Sequence, residues 1–118
     1  DLSGFPMINF SPQANPITSD FNKQIFKKAG AQLNIVREIP NIETAAFCAS
    51  INEGVFIMPE YLLSSIGSLK TIPLSDPFAY VTLNLIWKKK NPNISIPVFV
   101  DSFSTYIQNR NPNLTPDD

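Results

Sequence analysis

The chain has 118 residues, one domain's worth, with 43% hydrophobic residues and a formal net charge of −1. That length is enough for a hydrophobic core, and that charge excludes a general attraction to nucleic acid or anionic membrane. Histidine is absent, which removes the commonest general base and metal ligand. The one cysteine, Cys48, has no partner for an internal disulfide, as expected in a reducing cytosol. No run of about 20 apolar residues and no signal-peptide pattern is present.

The first strand is expected over residues 5–10, FPMINF, with Pro6 at its start or on an edge. SPQANP then reads as a polar loop. Thr18 or Ser19 is expected to cap a helix, with Asp20 in its first turn. Phe21, Ile25, Phe26 and Ala29 recur at helical spacing. Lys27 and Lys28 suit the last turn, and Gly30 ends it. Residues 33–39 alternate, with Leu33, Ile35, the pair Val36/Arg37, and Ile39. This predicts a strand with one exposed face, at an edge, closed by Pro40.

The next stretch, NIETAAFCASINEGVFIMPEYL, organises the chain. Asn41 is a good N-cap, and Glu43 places negative charge near the positive helix end. Ile42, Ala45, Ala46, Cys48 and Ala49 form an apolar stripe whose small residues allow close approach. Gly54 is expected to end this helix. Val55-Phe56-Ile57-Met58 reads as a strand buried on both faces, which is a mark of parallel α/β sheets. Pro59 stops it. Residues 61–66 suggest a short helical turn ended by Gly67.

Residues 69–74 are a short strand candidate, broken by Pro73, and Ser75-Asp76-Pro77 is turn chemistry. Residues 80–89 give the longest strand candidate, with Val81, Leu83, Leu85 and Trp87 on one face. After the Asn91-Pro92-Asn93 loop, Ser95 is expected to cap the last helix, with Pro97 in its first turn. Its apolar stripe is Ile96, Phe99, Val100, Phe103 and Ile107. Residues 109–118 read as a frayed tail. Strands alternating with helices predict an α/β fold, a mostly parallel sheet with flanking helices and right-handed crossovers.

Three segments carry a family resemblance. DLSGFPMINF, the NIETAAFCASINEGVFIMPEYL stretch and LNLIWKKKNPNISIPVFVDSFSTYI together resemble the later part of the effector-binding (substrate-binding) domain of LysR-type transcriptional regulators. The resemblance implies a type II periplasmic-binding-protein-like architecture, with a small effector bound between two α/β subdomains. It places the second subdomain at residues 1–80. A crossover strand and final helix of the first subdomain follow at 81–108, and a flexible tail at 109–118. It also implies a fragment, with DNA bound only through a domain absent from this chain, and a cytoplasmic homo-oligomer. Relatives pair antiparallel through the strand and helix that here hold Ile35, Arg37, Ala45, Ala46 and Ala49. A fragment of a solute-binding protein of similar architecture is the alternative. A secretion signal would favour it, whereas an upstream helix-turn-helix would favour the regulator.

Ligands in open α/β sheets lie beyond the carboxyl ends of the strands. That rule selects Ser11, Gln13 and Asn15 after the first strand, and Pro59, Glu60 and Tyr61 after the third. Their amides and hydroxyls suit a small polar ligand. As ordinary loop chemistry, the same residues make turns. Neither loop has Lys or Arg, and Glu60 would repel an anion. Lys88, Lys89 and Lys90 read as a solvated strand end, and Cys48 as a buried, inert thiol. No metal-ligand spacing or phosphate loop is present, and no cofactor is expected. Ser50, Ser64 and Ser65 have no histidine for a catalytic triad, so the residues do not suggest an enzyme.

Overall fold

The computed structural model describes residues 2–67 and 69–110. It divides between Thr82 and Leu83 into two units.

The first unit is built on strand β1 (Pro6–Phe10), which is apolar except at Asn9. Alternation along a strand sends neighbouring side chains to opposite faces. Ile8 and Phe10 join Ile39, Ala45 and Cys48 in the core, with Ile42, Ala49 and Phe56 packed against them. Asn9 points the other way, to helix α1 (Pro16–Ala29). Strand β2 (Asn34–Ile39) pairs with β1 in parallel. The register steps between Met7 and Ile8, opposite Ile35 and Arg37, leaving Val36 as an extra residue. That bulge is why the alternation breaks at Val36/Arg37.

Helix α1 begins earlier than expected. Asn15, not Thr18 or Ser19, is its cap, and its carboxamide oxygen accepts from the Thr18 amide at 3.1 Å. Pro16 takes a first-turn position, where a missing amide leaves nothing unpaired. Its end is as expected: Gly30 is left-handed, and the Gly30 and Ala31 amides close onto Lys27 and Phe26.

Helix α2 (Ile42–Ser50) is capped by Asn41, as the sequence indicated. Its other end corrects the expectation for Gly54. Asn52 takes the left-handed conformation, at φ 59°. The Asn52 amide bonds Ala49 and the Glu53 amide bonds Cys48, which is a Schellman closure with asparagine in the usual glycine place. Gly54 has a different task. A Cβ there would lie 2.7 Å from the Pro6 carbonyl oxygen, so only glycine lets the chain run flush against β1.

Val55 uses that approach. It forms a parallel bridge with Met7, through Val55 N to Pro6 O at 2.9 Å and Ile8 N to Val55 O at 2.8 Å. Pairing stops there, and residues 55–58 are half-buried. The expected strand buried on both faces is thus one bridge, because among the described residues it has a neighbour on one side only. The named sheet is correspondingly small, two parallel strands rather than the larger one expected. A 3-10 helix (Glu60–Ser65) follows, then left-handed Gly67.

No strand forms over the described residues of 69–74 or over 80–89. Period-two patterning supplies a face but not the partner that backbone amides require. Val81 and Tyr80, in the first unit, are exposed.

In the second unit, Leu83, Leu85 and Trp87 are exposed. Helix α3 (Ser95–Arg110) has no buried residue. Ser95 is its first residue rather than its cap, and the Asn93 carboxamide accepts the Ser95 amide at 2.9 Å. Phe99 and Phe103 stack at 5.8 Å on an open face. Asn109 and Arg110, expected in the tail, belong to the helix, and residues 111–118 lie outside the described residues.

Candidate functional site

Both candidate segments leave the first unit's sheet at its carboxyl end. β1 ends at Phe10 and Ser11 follows. Val55 runs parallel to β1, and the chain continues from it through 56–58 to Pro59.

The loop after β1 is held by its own backbone and side chains. Ser11 N extends the ladder to Ile39 O at 2.8 Å. The Ser11 carbonyl accepts from the Ala14 and Asn15 amides. Its hydroxyl donates to Gln13 Oε1 at 3.0 Å and accepts from Ala14 N at 3.3 Å. The Ser11 polar groups therefore serve the loop. Gln13 is exposed, and its oxygen is engaged while its Nε2 has no partner among the described residues. Asn15 repeats the pattern: its oxygen caps α1 and its Nδ2 has no partner among the described residues. The loop thus keeps side-chain carboxamide donors uncommitted among the described residues.

The other segment presents different chemistry. Pro59 is half-buried and Glu60 is exposed at the start of the 3-10 helix. Tyr61 is 57% exposed.

Behind the loop lies a buried polar network that sequence reasoning missed. Asn9, Ser19 and Asn22 are each at most 3% exposed. Asn22 Nδ2 donates to Asn9 Oδ1 at 3.0 Å, and Asn9 Nδ2 donates to Ser19 Oγ at 3.3 Å. No buried side-chain polar atom among the described residues lacks a partner. One signal was legible: an asparagine inside the apolar run MINF must find hydrogen bonds if it is buried.

On the opposite side of the unit, β2 and the end of α2 meet through charge. Arg37 pairs with Glu53, and the same carboxylate acts electrostatically on the Cys48 thiol. Arg37 holds the Glu53 carboxyl below its ordinary range, helped by Cys48. Glu53 and burial together push the thiol up. Cys48 is thus a buried, protonated thiol with a cation within its network, although none adjoins it in sequence. Nearby, Ile35, Ala46 and Ala49 are half-buried and Arg37 is exposed, whereas Ala45 is fully buried beneath them.

Among the described residues no acidic, cysteine or histidine cluster is arranged for a metal. No described helix is long and apolar enough to cross a membrane.

The family model for the LysR substrate binding domain matches residues 1–106. The chain belongs to that family. LysR substrate-binding domains are the effector-binding parts of LysR-type regulators, with a type II periplasmic-binding-protein-like α/β fold, and are regulatory rather than enzymatic. The parallel β1–β2 pair, with α1 and α2 beside it, is the part of such a fold visible in this LysR domain. The comparisons with curated proteins and with solved structures gave no match.

Proposed function

We propose that this chain senses a small-molecule effector for a LysR-type transcriptional regulator and that residues 11–15 and 59–61 form one wall of the effector site. The family supports the regulatory role. The parallel Met7–Val55 bridge carries the placement, because it sends both segments out at one end of the sheet, where α/β proteins bind ligands. Gln13, Asn15, Glu60 and Tyr61 contact the effector. Ser11 shapes the loop, and Pro59 sets where the second segment turns. Another α/β unit supplies the opposite wall, and residues 81–108 belong to that unit's fold. Effector binding biases a two-state equilibrium between subdomain arrangements, and a separate domain of the cytoplasmic regulator reads that change out on DNA.

The regulator acts as a dimer. Ile35, Arg37, Ala46 and Ala49 form this chain's share of the interface, and buried Ala45 lets α2 sit low on the sheet.

Hydrogen exchange tests the wall. An effector identified by reporter screening should slow exchange at the amides of 11–15 and 59–66 more than elsewhere. Protection confined to other segments would contradict the assignment.

A further inference from the structure

Resting on that reading of the site, we infer that the effector is zwitterionic or amine-bearing, with an acceptor oxygen for the Gln13 and Asn15 amide groups and a cationic nitrogen for Glu60. The Ser11 hydroxyl occupies Gln13 Oε1, and the Thr18 amide occupies Asn15 Oδ1. Each carboxamide is thereby fixed with its oxygen engaged by a neighbouring group of the chain and its two N–H donors left over among the described residues. The side chains of this loop therefore offer donors to a ligand, their oxygens being engaged within the chain. Glu60 reverses that chemistry: an exposed carboxylate accepts hydrogen bonds and favours positive charge.

Residues 11–15 and 59–61 contain no lysine or arginine. A simple carboxylate would meet neutral donors on one segment and a like charge on the other. A molecule carrying both groups satisfies both segments. Tyr61, exposed beside Glu60, adds an aromatic face on which an ammonium can rest.

The experiment uses three probes of one skeleton, 4-aminobutyrate, butyrate and butylamine, titrated at millimolar concentration into the isotopically labelled intact regulator, in which both walls of the site are present. Shifts are followed at the Gln13 and Asn15 side-chain amides and at the Glu60 and Tyr61 backbone. The aminobutyrate should bind about tenfold more tightly than butyrate, as expected for one charge-assisted contact. Glu60→Gln should remove that preference and leave butyrate binding unchanged or improved. Equal or tighter butyrate binding at these residues would overturn the ligand class while leaving the site in place. Probes that shift neither segment would overturn the site and the ligand class together.

Discussion

Asn22 on α1 donates its side-chain amide to the side-chain oxygen of Asn9 on β1 at 3.0 Å, both groups being buried. A satisfied hydrogen bond contributes only about 0.5–1.5 kcal/mol net, but stranding its partner costs about 1–3 kcal/mol. Asn22→Leu leaves the Asn9 oxygen without its donor. It should lower unfolding stability by that larger amount in urea, with an unchanged m-value. A change under about 0.5 kcal/mol would mean the oxygen is not sealed from water.

Gly54 is the second pressure point. Its missing Cβ is what admits the Pro6 carbonyl, a backbone atom that cannot swing aside. Gly54→Ala should cost about 1–3 kcal/mol by overpacking. Hydrogen exchange should quicken at Ile8 and Val55, whose amides form the bridge or lie beside it. Unaltered exchange at both amides would show that the bridge tolerates the methyl group.

The Arg37–Glu53–Cys48 network makes stability depend on pH at both ends. The folded state holds the Glu53 carboxyl below its ordinary 4.5, so the unfolded chain binds that proton more readily. Its contribution is present above about pH 4.5 and is lost as pH falls through the folded value. The Cys48 thiol is shifted up from its ordinary 9.0. Its contribution is present below about pH 9 and is lost as pH rises through the folded value. Glu53→Gln should flatten the acid limb and quicken Cys48 alkylation near pH 8, because the thiolate becomes easier to form. Alkylation no faster than in the wild type would mean that burial, not Glu53, protects the thiol.

The proposed dimer face predicts a separate phenotype. Ala49→Arg, and independently Ile35→Glu, should weaken dimerisation of the intact regulator in sedimentation while circular dichroism stays native. Unchanged sedimentation in both variants would remove this face from the interface.

Local signals in the sequence carried the first sixty-odd residues well. Asn41 capping, the Gly30 stop and the edge character of β2 each rest on chemistry within a few residues. The misreadings came where one residue type serves two purposes. Gly54 looked like a helix stop and is a close-approach position, because Asn52 can take the left-handed turn itself. Pro16 looked like a loop residue and opens α1. The pattern of 80–89 described a face, and no sequence pattern names the strand that must pair with it. The loop after β1 was legible as a candidate site, but the orientation of its amides was not. Ser11 and Thr18 set that orientation through contacts only the folded chain reveals.

Binding at residues 11–15 and 59–61 is tested most directly by calorimetric titration of the intact regulator with its effector, comparing wild type, Gln13→Ala and Tyr61→Ala. Each variant should lose about tenfold or more in affinity, as expected when a ligand contact worth about 1.4 kcal/mol is removed, while basal DNA binding and the thermal midpoint hold. Wild-type affinity in both variants would contradict the placement of the site on these two segments.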